Sequence, residues 1–393
     1  MNDHDKLLAA LREKPKVDSK AASQKRRISA QNHIPVVYRD PKYDEIYESY
    51  RYDLEKWLVE VFPDSTGLKP WGEDQRRAIQ FTQKVMLNGG KFCDAEPRAF
   101  AKSTRAAHSA LWGILYGHHD CIPLFAANQT KSKDLLAKIR VPLIANEMIA
   151  KLFPTLSTLC RIANQNRHQA VRLHHDGIPY GMSWTTDRIF IPVIPGRDGE
   201  PLPFSGSAIA VVPAKSARGL NFTNEVTGKS LRPSFWFCDD IQTDEIAASP
   251  RRVDDLVDLV RKVILRLGGL QKTLSGVMTA TCMAPDCATE RFLEDRSWMS
   301  IRVSTLKSRS EREDMWLGPY AELRLTYDKD DPDGQHKAWM AAKDYYIENR
   351  ELMDSGAEAS WEWAYKWADE PQYEVSTIQA AYNVLIDDKE AAF

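Results

Sequence analysis

The residues best placed to do chemistry are a lysine followed by two hydroxyls. Glu96-Pro97-Arg98-Ala99-Phe100-Ala101-Lys102-Ser103-Thr104 follows a short strand-like run and leads into a helical pattern. A polyphosphate site uses this layout: backbone N–H groups at a helix N-terminus face the phosphates, a lysine reaches the β and γ phosphates, and a hydroxyl ligates Mg2+. The usual G-x-x-x-x-G-K-[ST] pattern is broken here, because Glu96 and Ala101 stand at its two glycine positions. A second element complements the loop. The apolar run Phe235-Trp236-Phe237-Cys238 ends in Asp239-Asp240, which delivers two carboxylates to one strand end. One carboxylate can organise Mg2+ while the next orients an attacking water. An apolar strand capped by acids is also a common structural feature, so it is the pair of elements that predicts a nucleotide hydrolase.

The elements that must position these residues alternate along the chain. A helix pattern over Asp74–Leu87 ends at the turn signal Asn88-Gly89-Gly90 and is followed by a strand over Lys91–Ala95. Next come a helix over Lys102–Tyr116, a strand over Cys121–Ala127 and a helix over Lys131–Ala150. Later strands are expected over Gly206–Pro213, Ser234–Cys238, Gly276–Thr281 and Met299–Ser304, with a helix over Arg251–Leu267. Such alternation predicts a mainly parallel sheet covered on both faces, with ligands at the carboxyl ends of the strands. Upstream, Ile46, Tyr47, Tyr50, Leu54, Trp57, Leu58 and Val61 recur at helical spacing across Tyr43–Phe62. The stretch Asn164–Pro203, rich in His, Arg, Gly and Pro, reads as a small antiparallel insertion around its strand-like RIFIPVIP.

Composition sets the outer bounds. The 393 residues, 43% hydrophobic, 27% charged and 10% aromatic, suit a folded chain of two or three domains and exclude wholesale disorder, collagen-like repeats and coiled coil. No apolar run is long enough to span a bilayer, and the N-terminus lacks the apolar core of a secretory signal. Six scattered cysteines without a C-x-x-C pair fit a reducing cytoplasm. The doublets His118-His119 and His174-His175 have neither Cys nor carboxylates at zinc-ligand spacing, so both read as solvated or satisfied histidines. The net charge of -2 is unevenly spread: residues 1–35 carry 8 Lys+Arg against 4 Asp+Glu, residues 36–310 carry 37 against 31, and residues 311–393 carry 8 against 20. A mildly basic body and a strongly acidic tail result, and the body is the part compatible with a polyanion.

With those residues in view, the run Gly89–Gly117, GGKFCDAEPRAFAKSTRAAHSALWGILYG, resembles the variant phosphate loop of the large terminase subunit of tailed bacteriophages, the ATPase that packages viral DNA. Further segments match in family order: SARGLNF (Ser216–Phe222), RPSFWFCDDIQTDEIAASP (Arg232–Pro250) and the coupling motif MTATC (Met278–Cys282), with WLGPYAELR and MDSGAEASWEW resembling the link that leaves the ATPase domain. The resemblance covers Leu68 to Phe393. It implies an α/β P-loop NTPase of the ASCE type, with a mainly parallel central sheet flanked by helices and a small, mostly helical lid or linker subdomain.

The resemblance also implies roles. Lys102 would hold the phosphates, with the backbone of Ala99 and Ala101 in the cradle; Ser103 would ligate Mg2+, with Thr104 beside it. Asp239 would bind Mg2+ through water and Asp240 would orient the hydrolytic water. Arg98 would read the γ phosphate, Arg218 is a candidate sensor or finger, and Thr281 would couple phosphate loss to movement of a DNA-gripping surface. Trp71 and Gln75 are candidate adenine contacts. The sequence departs from the family at Ala99, where glycine is frequent, and at Asp240, where many relatives carry glutamate.

The expected organisation is a flexible basic arm over 1–35, an ATPase domain over 36–310 with the insertion 164–203, and an acidic, Trp-rich linker or lid over 311–393. The family's nuclease domain would lie beyond the position matched by Phe393, so ATP hydrolysis is expected of this chain and DNA cleavage is not. ATP and Mg2+ are the implied cofactors. Double-stranded DNA, the portal protein of the procapsid and the small terminase subunit are the implied partners, in the host cell cytoplasm, with a homo-oligomeric ring on assembly, a monomer as the alternative in isolation, and no membrane. Two other readings stay open: a nucleotide-binding assembly protein that hydrolyses nothing, and a helicase-like DNA translocase.

Overall fold

The computed structural model describes residues 32–224, 227–269, 274–365 and 374–387. The expected arm over 1–35 lies almost wholly outside the described residues. Eight strands form the central sheet: β1 (Lys91–Ala95), β2 (Cys121–Ala126), β3 (Ser183–Trp184), β4 (Arg188–Phe190), β5 (Ala208–Pro213), β6 (Trp236–Asp239), β7 (Gly276–Ala280) and β8 (Met299–Arg302). Their order is β8-β1-β7-β6-β2-β5-β4-β3. The six from β8 to β5 are parallel, while β4 and β3 add on antiparallel at one edge. The fold is therefore α/β with the sheet expected of a P-loop NTPase, and the strand before the loop lies one strand away from the strand that carries the acids.

Burial on both faces explains why these strands read as near-continuous apolar runs. Phe92, Ile122, Leu124, Ile209, Val211, Phe237 and Val277 point to one face. There they meet Ile79 of α1 (Glu73–Asn88), Ala107 and Leu111 of α2 (Lys102–Leu115) and Ile139 of α3 (Gln129–Ala145). Alternate residues Cys93, Cys121, Phe125, Ala210, Trp236, Cys238 and Met278 face the other way, onto Val253, Leu256 and Val260 of α4 (Pro250–Lys262) and Phe292. Gly276 is demanded by this packing, since a Cβ there would lie 2.2 Å from the Trp236 ring.

Several expected boundaries move, each for a local reason. The helix expected over Tyr43–Phe62 is interrupted: Asp53 accepts a hydrogen bond from the Lys56 N–H and starts a new turn at Leu54. The helix expected over Lys131–Ala150 breaks at Asn146, which closes α3 and caps the next helix through its side chain. The helix expected over Arg251–Leu267 gives way after Lys262 to a 3-10 turn, Ile264–Arg266. The RIFIPVIP strand does not stand in a separate insertion sheet; its Arg188–Phe190 pairs with β5 and widens the main sheet.

Beyond β8 a third core forms from the C-terminal segment, with Trp316 stacked on Tyr382 at 4.3 Å and packed with Tyr320, Ala342, Tyr346 and Met353. Arg324 clamps Asp387 through two hydrogen bonds of 2.8 and 2.6 Å. This mostly helical unit also reaches back to the body. Trp361 donates to the Pro70 carbonyl at 2.9 Å and stacks against Trp71 at 6.0 Å.

One buried ionic group ties β1 to α2. The Arg105 guanidinium donates to Asp94 at 2.9 Å and to Glu96 at 2.5 Å, all three side chains being at most 5% exposed. Burial pushes both carboxyls upward, Glu96 to about 8, against the pull of Arg105. A carboxyl whose folded pKa is raised contributes stability that is complete at low pH and is lost as pH rises through the folded value. The pair should therefore make the protein less stable at pH 8 than at pH 5. Asp94→Asn, which leaves one carboxylate facing one guanidinium, should flatten that difference. Urea midpoints of both proteins at the two pH values check it; an equal loss from pH 5 to pH 8 in the variant would contradict the shared burial.

Candidate functional site

The sheet register brings the site to one level. Asp94 of β1 lies opposite Thr279 of β7, and Thr279 opposite Asp239 of β6. The chain leaving β1 runs over Glu96 to Ala101 and enters α2 at Lys102, above the carboxyl ends of these strands. Ala99 and Ala101 both adopt left-handed backbone conformations, at φ +69° and +57°. Glycine takes this conformation without cost, whereas a Cβ there costs roughly 1–2 kcal/mol. The loop thus has the backbone form of a glycine-rich cradle built from alanines, and Ala101 closes the first turn by accepting from the Arg105 N–H.

Lys102 is buried, and its ammonium donates to the carbonyls of Glu96 and Pro97 at 2.6 and 2.8 Å and to the Thr281 hydroxyl at 3.0 Å. Burial draws the Lys102 pKa down, while Asp240, Glu96 and Asp94 oppose the loss of its charge. Thr281, one residue past β7, in turn donates to Asp240 at 3.2 Å. One hydroxyl therefore joins the expected phosphate-binding lysine to the expected water-orienting carboxylate. Asp240 itself sits at φ +41°, a left-handed turn immediately after β6.

Beside this chain, Asp239 accepts from Thr279 at 2.8 Å, and the Ser103 hydroxyl is near enough to favour its charged form. Burial raises its pKa, and the two hydroxyls counter that by favouring the charged form. A carboxylate and a serine hydroxyl on neighbouring elements are the pair a hard divalent cation would share. Thr104 points elsewhere, accepting from Lys138 of α3 at 3.2 Å.

The remaining sequence candidates are placed less centrally. Arg98 is exposed on the loop, 3.7 Å from Asp244. Arg218 is exposed in the turn after β5, and among the described residues no hydrogen bond or ion pair joins it to the Lys102 group. Trp71 and Gln75 are both buried. Trp71 lies between Trp361 and the Arg105 guanidinium, 5.7 Å from its ring centre, so a base could stack on it only if Trp361 moved. Gln75 is fully buried with neither amide atom hydrogen-bonded, and the Trp71 indole N–H beside it is likewise unpaired.

Sequence reasoning missed Arg105, Lys138, Thr279 and Trp361. Arg105 carried a signal, since it follows Lys102 by three residues and two acids flank the end of β1. The other three are brought in by tertiary packing alone. The doublet His118-His119 is satisfied as expected, by the carbonyls of Arg51 and Met86 at 2.7 and 2.9 Å. All six cysteines are free, and among the described residues no helix is long and apolar enough to cross a membrane.

No protein-family model matches the sequence, and no curated protein matches it. Among solved structures, the chain is similar to the crystal structure of the HK97 bacteriophage large terminase, at 11% identity and a TM-score of 0.39, over 76% of this chain and 54% of that one. It is also similar to the Phi-28 gp11 DNA packaging motor, at 10% identity and a TM-score of 0.27, over 67% of this chain and 64% of that one. The chain thus spans about half the length of the first and less than two thirds of the second, and the likeness is one of fold.

Proposed function

We propose that this chain is the ATP-hydrolysing motor domain of a viral DNA-packaging terminase, coupling ATP hydrolysis to movement of double-stranded DNA into a procapsid. The observation that carries the reading is the hydrogen-bonded chain Lys102–Thr281–Asp240 at the carboxyl ends of adjacent parallel strands, with Ser103 and Asp239 beside it. A helicase-like translocase shares the sheet and the acidic strand, and strand displacement separates it from a packaging motor, which should move along duplex DNA without opening it.

The residues present fit ATP and Mg2+. Two carbonyls and a hydroxyl hold the Lys102 ammonium, and phosphate oxygens would replace these neutral partners with charged ones. Ser103 and Asp239 would hold Mg2+, which when bound supplies charge neutralisation and orientation at the phosphates. The unpaired amide of Gln75 offers both a donor and an acceptor, matching the hydrogen-bonding edge of adenine. Asp240 would orient the attacking water. Because Thr281 bonds both Lys102 and Asp240, a change of partner at the lysine would reach the carboxylate, a first step of the role given to Thr281, which is to couple phosphate loss to movement of a DNA-gripping surface. Arg98, exposed on the loop, would contact the γ phosphate, and Arg218 would serve a neighbouring subunit's site in an assembled ring. Duplex DNA, a portal protein and a small terminase subunit are the partners this role requires.

The strained alanines favour one second reading, a nucleotide-binding assembly protein that does not turn over, since Ala99 and Ala101 resist rearrangement of the loop more than glycines would. Phosphate release by the full chain, with and without duplex DNA, separates the two. Under the motor reading the wild type turns over and Lys102→Ala, folded by circular dichroism, falls to background. Equal rates in the two proteins would remove the site assignment.

The two aspartates should fail differently. Asp240→Asn should bind Mg-ATP but hydrolyse it slowly, whereas Asp239→Asn should lose the Mg2+ dependence of nucleotide binding. Indistinguishable binding defects would refute the division of labour. Duplex DNA affinity should be independent of sequence and fall steeply between low and moderate salt, because contacts to phosphate release counterions; a flat salt titration would count against a DNA-gripping body.

A further inference from the structure

Far from the nucleotide site in sequence and function, three side chains converge at the point where the described chain begins. His33 Nε2 lies 3.2 Å from Asp176 Oδ1, and His175 Nε2 lies 3.3 Å from Asp176 Oδ2. One ligand atom from each of the three falls within 4.8 Å of the others. The two rings are stacked, 5.7 Å apart and inclined by 27°, so both imidazoles approach the same carboxylate from one side.

The backbone makes this arrangement rather than chance surface contact. His174-His175 pairs antiparallel with Ile178-Pro179 across a two-residue turn, Asp176-Gly177. Both turn residues are left-handed, at φ +48° and +83°, the form in which an Asp-Gly turn matches the twist of a hairpin. Asp176 is thereby fixed one residue from His175. His33 is fixed in turn by a bridge to His174, with the Ile34 N–H donating to the His174 carbonyl at 2.9 Å. The sequence reading of the His174-His175 doublet as solvated or satisfied did not include His33 or Asp176. The missing ligand comes from a residue 143 positions from Asp176, which no local spacing could reveal.

We propose that His33, His175 and Asp176 form a binding site for a divalent transition metal ion of the Zn2+ type, with water completing the coordination. Two imidazoles and a carboxylate are a borderline donor set suited to zinc, cobalt or nickel rather than to Mg2+ or Ca2+, which prefer all-oxygen shells. Ligands about 2.0 Å from a tetrahedral zinc lie about 3.3 Å from one another. The two nitrogen–oxygen separations, 3.2 and 3.3 Å, have that length but run to different oxygens of Asp176, and the three ligand atoms lie within 4.8 Å of one another, so an ion held by one carboxylate oxygen would draw the imidazoles inward as it replaces the two hydrogen bonds. Asp176 is largely exposed, so an ion can enter from solvent. The His175 Nδ1 is buried without a hydrogen-bond partner, which leaves Nε2 as the ligating nitrogen. Binding would staple the segment at His33 to the hairpin that precedes the sheet's antiparallel edge.

The test uses the full chain, free of any affinity tag and stripped with a chelator, carrying Cys282→Ser so that this partly exposed thiol cannot take the metal. Titration with Zn2+, and with Co2+ followed by its visible absorption, should give one ion per chain with a tetrahedral nitrogen and oxygen spectrum. His33→Ala, His175→Gln and Asp176→Asn should each weaken binding by about tenfold or more, since the loss of an outer-shell partner alone costs that much. Asp176→Asn is the conservative control, because asparagine tolerates the left-handed turn while losing the charge. Zinc should also raise the melting temperature of the parent and not of the variants. Binding that survives all three substitutions, or no binding at 100-fold excess of metal, would overturn the proposal and leave the cluster as two histidines hydrogen-bonded to a carboxylate.

Discussion

The geometry of the candidate site depends on a buried cation held between two buried acids. Arg105 projects from the second turn of α2 and grips Asp94, in β1, and Glu96, the first residue of the loop. Both ends of the loop are thereby fixed to each other from beneath. Three ionisable groups withdrawn from water make a poor stabilising device, because desolvation consumes most of what attraction returns. Their value is positional: with strand end and helix start locked together, the Lys102 ammonium is held between the loop carbonyls of Glu96 and Pro97 and the Thr281 hydroxyl. The glutamate standing where a phosphate loop usually has glycine is therefore part of the loop's foundation.

From that fixed point the sheet order does the rest. Between β1 and the acid-bearing β6 lies β7, so the residue that follows β7 is equally near both. A hydroxyl at this position can accept from the lysine and donate to the carboxylate at once, as Thr281 does. The same logic holds one layer down, where Thr279 of β7 donates to Asp239 of β6. Alternation along β7 thus supplies two hydroxyls to two successive aspartates, and the parallel register keeps both at the carboxyl ends, where ligands of open α/β sheets are bound.

Much of this was legible in the sequence, for identifiable reasons. Strands buried on both faces announce themselves as apolar runs, and β1 falls on the expected residues while β2 and β7 run one residue short. Asp239 and Asp240 were singled out because they end such a run, Lys102 and Ser103 because they stand where a loop after a strand enters a helix, and Thr281 through the resemblance of its segment to a coupling motif. Helix interruptions at Asp53 and Asn146 were missed because a cap inside a continuous apolar pattern leaves the periodicity intact. The antiparallel edge was misassigned because pairing partners of a short strand are not written in its composition. Trp71 and Gln75 were read as candidate adenine contacts, and the contact of Trp361, almost three hundred residues later, with the Trp71 indole had no local signal. Residues that meet through tertiary packing, His33 with Asp176 among them, carry no local signal.

The remaining tension lies in the loop's own conformation. Five non-glycine residues have positive φ among the described residues, and three of them, Ala99, Ala101 and Asp240, border the Lys102–Thr281–Asp240 chain. The other two are aspartates, Asp176 and Asp286, a residue type that tolerates the left-handed region through local hydrogen bonds. Alanine has no such recourse, so both loop alanines are held in place by their surroundings: the Arg105 group below, Phe100 buried between them, and Trp361 packed on Phe100 at 5.7 Å. Strain concentrated at one loop and supported by packing is characteristic of sites where backbone direction matters more than local stability. Trp361 belongs to the segment joining the third core to the body, so the contact that covers Phe100 and Trp71 also connects the loop to the C-terminal unit. A displacement of Trp361 would take one ring away from both Trp71 and Phe100, so the packing of that segment and the support of the loop share a residue.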